Sequence, residues 1–203
     1  MKKIVIGIDQ SYNNSGISIA VDNELKSVTS LWLNKAQDNT EKRNMLIRKL
    51  TDVFNKMSLK RDSEGCKLIC IVERIRLSSQ GFVNINYIKS IGALNACIVD
   101  TAKKYGIEVY SVDTRSWKSQ VVGSSKPMVN KYGIDKEKWP TILWLIKKGF
   151  EDKILVQVTK QKKKGVIVKD GIRYTYNDDA ADSAGIALYG FVSKDKQLLQ
   201  EEH

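Results

Sequence analysis

Four carboxylates in this chain sit where acids can act together. Asp9 closes a short apolar, β-branched run at residues 4–8, and Glu73 closes another at residues 68–72. Both runs read as buried strands, and open α/β sheets collect their sites at the carboxyl ends of strands. Asp179 and Asp182 stand three residues apart at the start of the last helical stretch, so they share one helix face. Ala180, Ala181, Ser183, Ala184 and Gly185 around them are small and let that helix approach a sheet closely. Clustered carboxylates repel, and at least one would have its pKa raised. A hard divalent cation removes the repulsion, because oxygen ligands are what Mg²⁺ and Mn²⁺ prefer. Two such ions about 3.5–4 Å apart can clamp a phosphodiester, one activating water and the other stabilising the leaving 3′ oxygen. His203 is the one histidine. That count excludes a Ser-His-Asp or Cys-His nucleophile, a histidine base and an HExxH zinc site. Taken singly, Asp9 reads as a strand end and Asp178 or Asp179 as a helix cap. The chemistry lies in the four together.

The elements that must position them are legible in outline. Residues 4–8, 16–21 and 27–33 read as a three-stranded meander. Residues 40–57 carry Met45, Ile47, Leu50, Val53, Phe54 and Met57 at helical spacing, with Asn39 or Thr40 as the cap. The run at 68–72 is apolar on both faces and therefore central. An amphipathic helix at 84–105, stopped by Gly106, leads to a fifth strand at 107–112 and completes a βαβ unit with a parallel pair. Its Ile88, Ile91, Leu94, Cys97 and Ile98 form a stripe suited to the chain's own sheet or to an interface. Residues 114–150 hold two shorter helical stretches with Trp117, Trp139 and Trp144 as packing anchors. Residues 151–176 read as a basic β-hairpin excursion, with the loop KQKKKG and a tight turn at Asp170-Gly171. The last helix runs from about 178 to 192, and the tail after it is expected to fray.

Charge separates the chain further. Its 203 residues carry 34 Lys and Arg against 23 Asp and Glu, a net of +11. Residues 114–173 alone hold 15 Lys and Arg against 5 Asp and Glu, so nearly all the excess lies in one segment. A basic stripe on a balanced protein points to a polyanion, and its plainer reading is a solvated surface. Arg115 and Lys118 open the segment, and Lys126 follows. Lys160, Lys162, Lys163 and Lys164 at a hairpin tip suit contact with a phosphate backbone. Arg74 and Arg76 follow Glu73 at the mouth of the site, and Phe82 in a polar loop suits stacking on a base. Tyr87 is a second candidate for stacking, with core as its plainer reading. Cys66, Cys70 and Cys97 lie in apolar stretches and read as reduced thiols of a cytosolic protein. No apolar run reaches the length of a membrane span.

The stretches GIDQSYNNSGISIAV, IVERI and NDDAADSAGIALYGF resemble the three acidic motifs of the RuvC family of Holliday junction resolvases. The resemblance covers about residues 3–150 and 177–192, and the D-A-A-D-x-A helix start is its most specific part. It implies an RNase H-like fold and a homodimeric, Mg²⁺-dependent endonuclease with two ions per active site, Mn²⁺ being able to substitute. It matches Asp9, Glu73, Asp179 and Asp182 to the four catalytic metal ligands. It also matches Lys118, in RSWKSQVVGSSKPMV, to a lysine near the scissile phosphate, and Lys126 across a gap to a second one. Gln10-Ser11 replaces the family's usual Pro-Gly, and Arg76 replaces its usual aromatic, so strict sequence selection does not carry over. The basic excursion at 151–176 looks more like the phage branch of the family, which acts on a wider range of branched DNA. No helicase partner is implied.

The expectation is therefore an α/β chain, 1–203 a single nuclease domain, with an RNase H-like mixed sheet flanked by helices and an extra basic hairpin. Its expected work is metal-dependent resolution of four-way junctions and other branched DNA by paired nicks, as a homodimer, in the cytoplasm (the host's, if phage-encoded) and away from membranes. Two alternatives keep the same residues: an RNase H-like or pre-rRNA-trimming ribonuclease, and a non-catalytic branched-DNA-binding protein. An actin-like or sugar-kinase ATPase shares the G-I-D opening but duplicates the domain, which 203 residues leave no room for.

Overall fold

The computed structural model describes residues 1–74, 85–124, 126–158, 165–192 and 200–201. The first three strands, β1 (Lys3–Asp9), β2 (Asn14–Val21) and β3 (Glu24–Trp32), form the expected antiparallel meander. β3 begins three residues earlier than the apolar pattern indicated. Asp22 and Asn23 both take positive φ, 50° and 67°, and make a two-residue turn that brings the chain straight back. α1 (Asn39–Glu64) follows. Its cap is Asp38, whose side chain accepts from the Glu41 N–H, and not Asn39 or Thr40. It also runs past residue 57, through a polar stretch with no apolar period, until Gly65 stops it at φ 63°.

β4 (Lys67–Glu73) lies parallel to β1, α2 (Ile85–Lys103) crosses over, and β5 (Glu108–Val112) lies parallel to β4. This is the βαβ unit read from the sequence. The strand order is β3-β2-β1-β4-β5, the five main strands of a mixed sheet with helices on its faces, and a short sixth strand from the C-terminal tail adds to β5. The pleat sorts the side chains. Ile4, Ile6 and Ile8 point to the face covered by α1 and α2, where Leu46, Leu50, Phe54, Leu94 and Ile98 meet them. Val5 points to the opposite face, with Ile69, Ile71 and Val112. Ile91, Leu94 and Ile98 of α2 are thus core of this chain.

The opposite face is closed by α3 (Thr114–Trp117), a π turn at Lys118–Val122, α4 (Trp139–Lys147) and α6 (Asp178–Val192). Between α4 and α6 the chain makes α5 (Glu151–Ile154), β6 (Leu155–Gln157), β7 (Ile167–Lys169) and β8 (Ile172–Tyr176). The basic excursion is thus more than a hairpin: β8 lies between β6 and β7 in a separate three-stranded antiparallel sheet. Its β7–β8 turn is the expected one, Asp170 at φ 50° and Gly171 at φ 75°. Residues 159–164, with Lys160, Lys162, Lys163 and Lys164, lie outside the described residues, as do Arg76 and Phe82. The tail is not wholly frayed. Gln200–Glu201 make a two-residue strand, β9, antiparallel to Tyr110 and Ser111 of β5.

Candidate active site

β1 and β4 run in parallel register, Ile8 beside Val72. Asp9 and Glu73 therefore end neighbouring central strands side by side. α6 delivers the other two acids. It is capped by Asn177, whose Oδ1 accepts from the Ala180 N–H at 3.0 Å. Its small residues let it settle directly on the sheet. A Cβ built on Gly16 of β2 would stand 1.9 Å from the Asp179 carbonyl oxygen, and one on Gly7 would stand 2.4 Å from the Ser183 carbonyl oxygen. Only glycine fits at either place, and this contact sets the height at which Asp179 and Asp182 face the strand ends.

Polar contacts then fix the individual carboxylates. Asn14 of β2 donates from Nδ2 to Asp179 Oδ2 at 2.8 Å and to Asn177 Oδ1 at 3.1 Å, and Asn177 donates to Ser30 Oγ at 2.7 Å. Glu73 Oε1 accepts from the Trp117 indole N–H at 3.2 Å, while the Glu73 carbonyl accepts from Gln10 Nε2 at 3.1 Å. Gln10 thus ties the turn after β1 to the end of β4. Asp182 is 2% exposed. Its Oδ2 receives Lys138 Nζ at 3.1 Å and Lys118 Nζ at 3.6 Å, while its Oδ1 is buried without a hydrogen-bond partner among the described residues. Lys138 also reaches Asp178 at 3.5 Å, and Lys118 donates to the Glu137 carbonyl at 3.4 Å.

The electrostatics follow from this crowding. Burial, then the charges of Glu73, Asp182 and Asp179, push the Asp9 carboxyl well above the ordinary range, with Lys138 opposing. Asp179 is pushed up to about 7, first by burial and then by Asp178, against the pull of Lys138 and the Asn14 hydrogen bond. Burial works against the Lys138 ammonium, but Asp182, Asp9 and Asp178 together outweigh it and hold its pKa above the usual lysine value.

Lys118 is at the acids, 7% exposed, as the sequence suggested. Lys126 is not. It is exposed in the loop after the π turn, its backbone N–H on Ser124 Oγ, and it makes no ion pair with a described residue. The second lysine at the acids is Lys138, which the sequence reading passed over. Its signal was its place immediately before Trp139-Pro140, the anchored start of α4. Arg74 lies beside Glu73, its backbone N–H on the Val112 carbonyl and its Nε buried without a hydrogen-bond partner among the described residues. Arg115 is exposed, held through its N–H by Asp113. A cleft lined by Asp135, Lys138, Thr175, Tyr176 and Asp178 joins this site to the small sheet.

Among the described residues, no three Asp, Glu, His or Cys side chains stand close enough to chelate an ion as they are. The donor set nonetheless fits a hard divalent cation. It is oxygen only, it includes the orphaned Asp182 Oδ1, and the charge on Asp9 is opposed by three neighbouring acids. Asp9, Glu73, Asp179 and Asp182 are the residues that could hold one.

No protein-family model matches the chain, and no curated protein does. Solved structures do. Thermus thermophilus RuvC is 14% identical, covers 98% of this chain and 99% of its own, and superposes with a TM-score of 0.61. T. thermophilus RuvC in complex with a Holliday junction substrate gives the same coverage and TM-score at 12% identity. The yeast mitochondrial Holliday junction resolvase Ydc2 is 17% identical over 91% of this chain and 75% of its own, with a TM-score of 0.49. The chain has a RuvC-like fold.

Proposed function

We propose that this chain is a divalent-metal-dependent endonuclease that resolves four-way DNA junctions by paired nicks, leaving 5′-phosphate and 3′-hydroxyl ends, and acts on other branched DNA as well. The observation that carries the reading is the meeting of Asp9, Glu73, Asp179 and Asp182 at the strand ends, with Lys118 and Lys138 among them, on a RuvC-like fold. One structure of that fold is in complex with a Holliday junction substrate. Asp9, Glu73, Asp179 and Asp182 would hold the cation. Two Mg²⁺ ions held there, with Mn²⁺ able to replace them, would supply an activated water and neutralise charge at the leaving oxygen. Lys118 and Lys138 bind the phosphate at the reacting centre. Asn14 holds Asp179 and Gln10 ties the turn after β1 to the end of β4, which limits how far the carboxylates must move to close on an ion. The residue excess of positive charge at 114–173 holds the DNA backbone against an otherwise acidic site. A four-way junction has two-fold symmetry, so paired cuts require two sites, one from each subunit of a homodimer.

The test is a nicking assay with mapped cut positions on three substrates: a four-way junction, an RNA–DNA hybrid and a structured RNA. Symmetric cuts in junction strands of like polarity, dependent on Mg²⁺ or Mn²⁺, are expected. Cleavage of the hybrid alone would make the chain an RNase H-like ribonuclease. Junction binding with no cutting in either metal would make it a binding protein.

A further inference from the structure

Trp117 is fully buried, and its indole N–H is spent on a carboxylate. Nε1 donates to Glu73 Oε1 at 3.2 Å. The ring itself rests on α6 where residue 185 is glycine: a Cβ there would come within 2.4 Å of ring carbon Cζ3 and 2.7 Å of Cε3. The short helix that carries the indole is tied to the end of β5 by Asp113, whose side chain accepts from the Arg115 N–H at 2.9 Å. β5 in turn pairs in parallel with β4, Val112 beside Glu73. One rigid side chain therefore spans from the strand end that bears Glu73 to the helix that bears Asp179 and Asp182.

We propose that Trp117 is a positioning residue for Glu73. Its N–H holds one carboxylate oxygen and so fixes the plane in which the carboxylate is offered to a divalent cation, while its ring keys that plane to the height of α6. A donor behind a ligating carboxylate sets the ligand's orientation and is worth about 10–100-fold in metal affinity where such contacts have been removed. A packing role alone would need the ring and not the N–H. The inference rests on the metal-nuclease reading above, since Glu73 must be a ligand for its orientation to matter.

The experiment separates ring from N–H in the full-length chain. Trp117→Phe keeps an aromatic ring, and replacement by β-(3-benzothienyl)alanine keeps the bicyclic shape and loses only the donor. Mn²⁺ affinity is measured by titration calorimetry without DNA, alongside Tm in EDTA and steady-state junction cleavage. The benzothienyl variant is expected to keep the wild-type Tm, to bind Mn²⁺ about tenfold more weakly, and to lose kcat with KM unchanged. Combined with Glu73→Gln it should cost no further Mn²⁺ affinity, because the two act through one group. Wild-type Mn²⁺ affinity in the benzothienyl variant overturns the proposal, as does full additivity with Glu73→Gln. A wild-type chain that binds Mn²⁺ but cuts no junction overturns the nuclease reading while leaving the Trp117 result standing. A wild-type chain that binds no Mn²⁺ overturns both.

Discussion

Asp9 and Asp182 are 6% and 2% exposed, and both face other acids. On the proposed reading both are cation ligands. Asp9→Asn and Asp182→Asn should each reduce cleavage by about a hundredfold or more, yet leave junction binding in EDTA within a few fold, as measured by gel shift. Loss of binding together with cleavage would give these residues a structural role. Asp179 yields a pH prediction. Its folded pKa, about 7, lies above its ordinary value of 3.8, so the folded chain holds a proton that the unfolded chain has released. Stability without metal is then greatest below about pH 4 as far as this group is concerned, and falls as pH rises towards 7. Thermal melts in EDTA should show Tm dropping across that window, with a shallower drop in Asp179→Asn. Lys138 and Lys126 make a matched contrast. Lys138 neutralises buried Asp182 and Lys126 is exposed. Lys138→Gln should cost about 1–3 kcal/mol in metal-free urea unfolding, and Lys126→Gln should cost nothing measurable.

The contact between α6 and the sheet is the element on which the site depends. Gly16→Ala would drive a methyl into the first turn of α6 at the Asp179 carbonyl. It should destabilise the chain by about 1–3 kcal/mol in urea unfolding and lower cleavage further than that stability loss explains, because Asp179 moves with the turn. Equal loss in the two measurements would detach the contact from the site. Most of this architecture was written in the residues. Period-two and continuous apolar runs marked β1, β4 and β5, helical spacing marked α2, and small residues beside two acids marked α6. What escaped was set by local polar chemistry or by tertiary contact. Asp38 took the cap from its neighbours, and residues 58–64 extended α1 without an apolar period. Asp22-Asn23 turned the chain earlier than a strand pattern can show. Lys138 escaped for a different reason. It reaches the acids at the end of an irregular stretch, residues 126–138, whose path no periodicity encodes. Trp117 was readable as a packing anchor, but its hydrogen bond to Glu73 was not, since that depends on where β5 ends relative to β4.

At the scale of the whole molecule nearly all of the net charge of +11 lies in residues 114–173, while the four site carboxylates lie outside that stretch. Affinity for branched DNA should fall steeply with salt through counterion release. Lys162, Lys163 and Lys164 changed together to Ala should weaken binding to junctions, flaps and forks alike, and flatten the plot of log affinity against log salt. An unchanged slope would remove these lysines from the interface. If the protein is the proposed homodimer, a wild-type subunit paired with an Asp9→Asn subunit should nick one strand of a junction and leave the opposite strand whole.

The acids come from opposite ends of the chain, with 170 positions separating Asp9 from Asp179 along it. Contacts of such long span form late and slow the folding of the domains that rely on them. A nascent chain that has emerged from the ribosome only through β8 carries Asp9 and Glu73 but lacks the helix that covers Gly7 and Gly16. Such a chain leaves the part of the sheet under α6 uncovered and lacks Asp179 and Asp182. A site built from these four acids therefore waits for the last helix, whatever the order in which the rest of the chain folds.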